Sequence, residues 1–311
     1  MKKSILGVVT LFSVMALAAC GSGGGSNSSG SSANNGEKKE LTFPISTKND
    51  KDAIKDGELE AAVATDSQFK GLFQWEFYQD SYDAAFMAPS HEALFTNDAD
   101  FKITNDGAAS LDLDQETKKA TIKVKDNVKW SDGKDVTADD VIFPYEIIGN
   151  KDYTGIRYDD NFRNIVGMEE YHSGSAPTIS GIKKVDNKTV EIEYKKVEPS
   201  MLQSGGGIWA YAAPKHTLEG VAIKDMESSD QVRKNPVTFG PYYMSNIVAG
   251  ESVEYLPNEH YWNGTPKLKK ITMKSVPMAS ATEALNSKLY DMIFQMPTDT
   301  YDTYKEIAGY T

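Results

Sequence analysis

Histidines and closely spaced aspartates are the residues of this chain most suited to metal binding or acid–base chemistry. The chain has four histidines, His91, His172, His216 and His260. They are dispersed, and none stands at the short spacing of a zinc site. Aspartates recur at Asp98, Asp100, Asp112 and Asp114. They lack the glycine and closing glutamate of an EF-hand loop, so we interpret them as solvated acidic turns and expect no metal or cofactor.

Serine and glycine patterns also fail to indicate an enzyme. No serine has the setting of a nucleophile elbow. The glycines at 205–207 are not followed by the lysine and serine of a phosphate-binding loop. A surface hydrolase that uses an unrecognised carboxylate pair stays open as the competing class of function.

Cys20 is the one cysteine of the chain, and it follows an N-terminal leader. Lys2 and Lys3 form a positive start, residues 5–16 form an apolar run too short to cross a bilayer, and residues 17–20 read Leu-Ala-Ala-Cys. This tetrapeptide resembles the lipobox of bacterial lipoproteins, in which the cysteine thiol is diacylated. We therefore predict a lipoprotein signal peptide at 1–20 and lipid attachment at Cys20, because a buried free cysteine fits poorly beside a leader.

Residues 21–36 are almost entirely Gly, Ser and Asn, so these sixteen residues should span about 22 Å end to end, and we predict a flexible linker over 21–40. The remainder has ordinary globular composition, and 311 residues with 40% hydrophobic content can bury a sizeable core. Removing Lys2 and Lys3 with the leader changes the formal charge from −12 to −14. This acidic balance argues against nucleic acid as a partner.

The elements that must position any site are mainly strands. Residues 119–125 and 188–195 alternate apolar and polar side chains, and 182–195 is expected to form a hairpin around Asp186 and Asn187. Further strands are predicted at 251–256 and 271–276.

Two helices are marked by start signals. Thr137 opens a capping box for a helix through Tyr145, which Pro144 should kink or end early. Ser280 opens a second box, with an apolar stripe of Ala284, Leu285 and Leu289. A last helix is predicted over 300–307. The pattern is α+β with mixed β-sheets.

Three sequence blocks carry a family resemblance. Residues 128–141 read VKWSDGKDVTADDV, residues 235–242 read NPVTFGPY, and residues 258–264 read NEHYWNG. In order and spacing they resemble the family 5 extracellular solute-binding proteins, the oligopeptide-binding components of ABC importers. Thr238 and Phe239 depart from the family's Gly-Thr in the second block. The 73–95 region resembles lactic-acid-bacterial members.

This resemblance implies a periplasmic-binding-protein-like lobe of the class II type within residues 41–296, including a small N-terminal subdomain at about 90–200. Residues 297–311 would then begin the crossover to a second lobe. Since family members continue well beyond that point, we expect the second lobe to be missing from this chain, which should bind peptide weakly or not at all.

The implied partners are an oligopeptide, the permease subunits of an ABC transporter, and the membrane through diacylglycerol on Cys20. We expect a monomer on the extracytoplasmic face of a Gram-positive cell membrane. A receptor for peptide signals is an alternative on the same fold.

Three stretches match the cleft-lining positions of the family. The resemblance implies ligand contacts by Trp75, Glu76, Phe77, Tyr78, Gly207, Ile208, Trp209, Phe294, Gln295 and Met296. An acidic Glu76 would suit a peptide amine, and glycines at 205–207 would allow close backbone approach. For the first stretch an amphipathic packing segment is an equal alternative, and for the second a plain crossover loop. A tyrosine that faces the cleft could be Tyr153 or Tyr158.

Overall fold

The computed structural model describes residues 54, 56–305 and 307. The predicted signal peptide, Cys20, the linker at 21–40 and the start of the first lobe at 41 lie outside these described residues. The strands are β1 (Glu58–Ala64), β2 (Thr96–Asn97), β3 (Ile103–Thr104), β4 (Ala109–Asp114), β5 (Lys119–Val124), β6 (Ile182–Lys184), β7 (Thr189–Glu193), β8 (Tyr242–Val248), β9 (Ser252–Pro257), β10 (Lys270–Val276) and β11 (Met292–Phe294).

The α-helices are short apart from α2 and α8. They are α1 (Ser81–Met87), α2 (Ala138–Gly149), α3 (Asp160–Arg163), α4 (Met168–His172), α5 (Lys215–Leu218), α6 (Ile223–Met226), α7 (Asp230–Arg233), α8 (Met278–Asn286) and α9 (Tyr301–Tyr304). Single 3-10 turns cover Pro199–Leu202 and Thr298–Thr300. Among the described residues, no helix combines the length and apolar character needed to cross a bilayer.

A five-stranded mixed sheet has the order β11-β1-β10-β9-β8. β1 runs parallel to both β10 and β11, whereas β8, β9 and β10 are antiparallel neighbours. The second half of β1, residues 61–64, is apolar throughout because both of its faces are covered. Ala61 and Val63 pack into one hydrophobic cluster, and Ala62 and Ala64 pack into another beneath α8.

A four-stranded antiparallel sheet, β4-β5-β7-β6, forms the second layer of structure together with α2. Its inward residues Ile122, Val190 and Ile192 are fully buried in the largest hydrophobic cluster, which also contains Trp130 and Tyr145. The predicted strands at 119–125 and 271–276 and the hairpin at 182–195 are therefore confirmed.

The predicted end of α2 at Tyr145 is wrong, because this helix continues to Gly149 with Pro144 inside it. Proline cannot donate to the carbonyl four residues earlier. That carbonyl belongs to Asp140, and it accepts a hydrogen bond from the backbone N–H of Ala213 at 3.0 Å instead. A distant segment thus satisfies the group that Pro144 leaves free, and the helix is not forced to end.

The capping box predicted at Ser280 is also wrong. α8 begins at Met278 directly after Pro277, so Ser280 lies inside the helix. The Met278 N–H donates to Asp66 Oδ1 at 3.1 Å, and this carboxylate comes from 212 positions away in sequence. Ala284 and Leu285 are buried as predicted, but Leu289 lies beyond the helix and is 62% exposed.

The helix predicted at 300–307 is shorter than expected. A 3-10 turn at Thr298–Thr300 leads into α9, which covers only Tyr301–Tyr304. The Tyr304 hydroxyl donates to the Pro297 carbonyl at 3.1 Å and ties the end of α9 to the residue that precedes the 3-10 turn.

Candidate functional site

Two of the three predicted stretches come together around Tyr211. Residues 74–78 form a turn before α1, and residues 204–209 form a loop after the first 3-10 turn. The ring of Tyr211 stacks on Trp75 with centroids 4.2 Å apart and an interplanar angle of 19°. It also meets the edge of Trp209 at 5.5 Å. We call Trp75, Tyr78, Trp209 and Tyr211 the aromatic cluster, since Tyr78 contacts Trp75 at 5.1 Å.

Each member of the aromatic cluster is half-buried, so it keeps some exposed ring surface while its other side packs on the core. Tyr211 was not predicted. Its position two residues after Trp209 is the only sequence signal that could have found it, since alternate residues of an extended segment face the same way.

Glu76 lies beneath this cluster and is fully buried. Neither carboxylate oxygen makes a hydrogen bond of standard geometry within the described part of the chain. Burial raises the pKa of Glu76 to about 7, although the nearby Gln74 amide, the Trp209 indole and the positive charge of Arg157 act in the opposite direction. A buried carboxylate with so little compensation favours its neutral form, and with this pKa the neutral form predominates below about pH 7.

Arg157, a basic residue in the loop after α2, also belongs to this region, and sequence analysis did not predict a role for it. Its guanidinium lies over the Tyr78 ring at 4.1 Å from the centroid, and its Nη2 donates to the Tyr78 carbonyl at 3.0 Å. Cation–π contact of this kind holds both side chains in place. Arg157 therefore ties the loop after α2 to the first predicted stretch.

The structure separates the two candidate tyrosines. The Tyr153 hydroxyl donates to the Glu76 carbonyl, and the same oxygen accepts from the Arg157 N–H at 3.3 Å. Tyr158 instead stacks on His172 with centroids 3.8 Å apart. Tyr153 thus joins the Glu76 region, and Tyr158 belongs to a different surface.

Phe77 and Ile208 have almost no exposed surface. Phe77 packs with Phe143 and Ile147 in one cluster, and Ile208 belongs to the largest cluster. Their side chains are core residues, which favours a packing role over ligand contact. This agrees with the packing alternatives left open for their two stretches, and ligand contact by either residue stays a prediction.

The glycine loop is tightly packed and has little freedom. Gly207 has φ +116°, and a Cβ there would stand 2.9 Å from Asn161 Oδ1. A Cβ on Gly206 would overlap the carbonyl oxygen of Ser200. Gly206 and Gly207 are thus required by the protein's own packing, which supports the crossover-loop interpretation of this stretch.

The third stretch lies at the edge of the five-stranded sheet. Phe294 is 40% exposed at the end of β11. Gln295 has a positive φ of 59°, and its Nε2 donates to the Ser81 carbonyl at 3.3 Å. Met296 packs toward the cluster that contains Ala62 and Ala64. These contacts place the third stretch beside β1 and α1, and none of them is made with the aromatic cluster.

Two of the closely spaced aspartates, Asp98 and Asp114, accept hydrogen bonds from backbone N–H groups a few residues later, as turn residues do. Asp98 Oδ1 accepts from the N–H groups of Asp100 and Lys102, and Asp114 Oδ1 accepts from those of Glu116 and Thr117. Among the residues that the structure describes, no group of three or more His, Cys, Asp or Glu side chains is arranged to hold a metal ion.

The fold is that of a lobe of a periplasmic-type solute-binding protein. Lactococcal OppA, solved with an endogenous peptide in the closed conformation, matches with a TM-score of 0.79 and 39% identity, covering 82% of this chain and 48% of that chain. AppA from Bacillus subtilis, solved with a nonapeptide, shares the fold with a TM-score of 0.66 and 23% identity, covering 82% of this chain and 47% of that chain. The predicted fold class is confirmed by these matches.

The sequence profile of the bacterial extracellular solute-binding proteins, family 5 Middle, matches residues 102–311. The chain belongs to this family, and the resemblance found in the three sequence blocks is confirmed. The oligopeptide-binding protein OppA of Lactococcus lactis subsp. lactis is 38% identical over 316 aligned residues, covering 100% of this chain and 52% of that protein. The chain spans about half the length of the curated relatives it matches.

Proposed function

We propose that this chain forms one wall of an oligopeptide cleft in a lipid-anchored binding protein, which delivers peptides to an ABC permease. The observation that carries this proposal is the aromatic cluster, in which two separate predicted stretches meet. Half-buried aromatic rings offer flat apolar surface with polar tips, and such surface tolerates many different peptide side chains. The similarity to OppA in its peptide complex supports the same choice of ligand.

The edge of β11 adds a means of contact with peptide main chain. Within the described residues β11 has β1 as its one sheet neighbour, so its other edge has backbone groups available for hydrogen bonding. An extended peptide can add to such an edge regardless of its sequence. In this proposal the protein binds peptides without converting them chemically.

Photo-crosslinking tests the proposal, because it captures weak binding. Short peptides of mixed sequence that carry benzoylphenylalanine are irradiated with the purified chain, and the crosslinked sites are mapped by mass spectrometry. We expect crosslinks near Trp75 and Trp209, with peptide masses unchanged before irradiation. Trp209→Ala should lower the yield several-fold, whereas Trp262→Ala, a tryptophan outside the aromatic cluster, should not. Equal labelling of both variants and wild type would reject this site.

The anchor has a separate test. Cells that express the chain are fed a radiolabelled or alkyne-tagged fatty acid, and the label on the protein is measured. Cys20→Ser should lose the label and remain in the aqueous phase of a detergent partition, while Ser22→Ala should behave as wild type. Retained label in the Cys20→Ser variant would rule out thiol acylation at this position.

A further inference from the structure

A small cavity lies beside Trp75 of the aromatic cluster. It is lined by Trp75 and Gln74 of the first predicted stretch, by His91 and Glu92, by Trp130 of the first family block and by Thr238 of the second. Its interior has room for about one water molecule. A residue of the proposed ligand site and residues of two of the three family blocks therefore line the same cavity.

Four of these lining residues have a buried polar atom without a hydrogen-bond partner in the described part of the chain. They are the indole Nε1 atoms of Trp75 and Trp130, Thr238 Oγ1 and Glu92 Oε2. The other carboxylate oxygen of Glu92 is occupied, since it accepts from Trp262 Nε1 at 3.2 Å. Burial raises the pKa of Glu92, and the nearby Tyr261 hydroxyl acts in the opposite direction. This hydroxyl nevertheless makes no hydrogen bond of standard geometry to Oε2.

The hydrogen-bonding capacity of these four atoms indicates which molecule or ion could occupy the cavity. Two indole N–H groups can only donate, the carboxylate oxygen accepts, and the hydroxyl can do either. A cation would be repelled by the two N–H dipoles, and an anion would be repelled by Glu92. A water molecule accepts two hydrogen bonds and donates two, so it can pair with two donors, an acceptor and a hydroxyl at the same time.

We propose that this cavity is a hydration site for one ordered water molecule bound by Trp75, Trp130, Glu92 and Thr238. Buried waters commonly make about three hydrogen bonds to polar groups that would otherwise be unsatisfied. The water would hold the indole of Trp75 through a hydrogen bond from its Nε1. Thr238 is one of the two positions at which this chain departs from the family block, so the hydroxyl contributed there is a feature of this chain. The inference does not depend on peptide binding.

A pair of threonines gives a matched test. Thr238 and Thr272 are both buried, and both hydroxyls lack a protein partner among the described residues, but Thr272 lies in β10 and does not line the cavity. Valine keeps the shape of threonine and removes the hydroxyl. The backbone of Thr238 is held independently, since its carbonyl accepts from the Ser131 N–H at 2.7 Å.

We expect Thr238→Val to lower the midpoint of thermal unfolding by about 2–4 °C, because the water loses a hydrogen bond. Thr272→Val should leave the midpoint unchanged or raise it, because it removes an unsatisfied group. If Thr238→Val raises the midpoint as Thr272→Val does, or leaves it unchanged, the hydration site is rejected.

A crystal structure of the chain at high resolution provides the second measurement. Density for one water within about 3.2 Å of at least three of the four atoms supports the proposal. A cavity without density overturns it. A peak about 2.4 Å from Glu92 Oε2 would indicate a coordinated cation and also overturn it.

Discussion

Glu76 shows at the scale of one residue how a buried carboxyl group beneath the proposed binding surface makes folding stability depend on pH. Its side chain is fully buried under the aromatic cluster, and burial raises the pKa of Glu76 from the usual 4.5 to about 7. A raised carboxyl pKa means that the folded state holds the proton more tightly than the unfolded state. The resulting stabilisation is complete below pH 4.5 and is lost as the pH rises through 7.

Glu76→Gln should remove this pH-dependent loss. Relative to wild type, we expect the free energy of unfolding of the variant to increase between pH 4.5 and pH 8 by up to about 3 kcal/mol, since the amide carries no charge to desolvate. Urea unfolding at the two pH values measures the difference, and the acidic value serves as the control. A constant difference across this range would contradict the raised pKa.

At the scale of elements, Asp140 joins α2 to α5. Its Oδ2 accepts from the Thr137 N–H at 2.8 Å at the start of α2, and its Oδ1 accepts from the Lys215 N–H at 3.0 Å. Its carbonyl also accepts from Ala213, as described for Pro144. One residue thus satisfies backbone groups of two helices that are distant in sequence.

Asp140→Ala should lower the free energy of unfolding by about 2–4 kcal/mol, because two backbone N–H groups lose their acceptor and a cap is removed. Asp139→Ala is the matched control from the same helical turn. Its carboxylate makes an exposed ion pair with Lys184, so we expect a loss below about 1 kcal/mol. Denaturant titration compares the two, and equal losses would show that Asp140 has no special role.

The glycine loop gives a second prediction at this scale. Gly206→Ala should lower the free energy of unfolding by about 1–3 kcal/mol, because its Cβ would overlap the backbone carbonyl of Ser200. Gly220→Ala is the control, since open space surrounds the added methyl group there and the change should stay within about 0.5 kcal/mol. Thermal unfolding distinguishes the two variants. A Gly206→Ala variant as stable as wild type would mean that the loop moves freely.

For the whole molecule, two buried groups, His91 and Glu76, have opposite effects on how the free energy of unfolding changes with pH. His91 Nε2 donates to the Phe73 carbonyl at 3.0 Å, and its Nδ1 lies 2.9 Å from Ser90 Oγ, which suits the neutral ring. Burial lowers the pKa of His91 from 6.5 to about 4. The unfolded state therefore binds the proton first, and stability is lost as the pH falls from 6.5 to 4. Over much of the same pH range, the raised pKa of Glu76 makes the protein more stable as the pH falls.

In His91→Gln this loss on acidification should be absent. Between pH 6.5 and pH 4.5 the free energy of unfolding of the variant should therefore increase relative to that of wild type, by up to about 3 kcal/mol. The double variant with Glu76→Gln should return toward the wild-type slope, since both opposing groups are then absent. Urea unfolding at four pH values between 4.5 and 7.5 measures the slopes. An unchanged slope in His91→Gln would contradict the buried neutral histidine.

Local patterns were enough to predict much of the fold. The strand at 119–125 and the hairpin at 182–195 follow from period-two alternation and a two-residue turn signal, both of which act over a few residues. The family blocks around Trp130, Pro241 and Trp262 likewise depend on order and spacing along the chain. These features identified the family without any tertiary information.

The site and the helix ends were decided by residues far apart in sequence. Tyr211 joins Trp75 to Trp209, Arg157 lies over Tyr78, and Asp66 caps α8 in place of Ser280. No local pattern contains such pairs, because a side chain finds a distant partner only after the sheets and helices have packed. The sequence alone therefore determined the family, the local elements and the candidate stretches. Only the tertiary structure decided which stretches meet, which aromatic residues remain half-exposed, and which of the residues predicted to contact ligand are buried in the core.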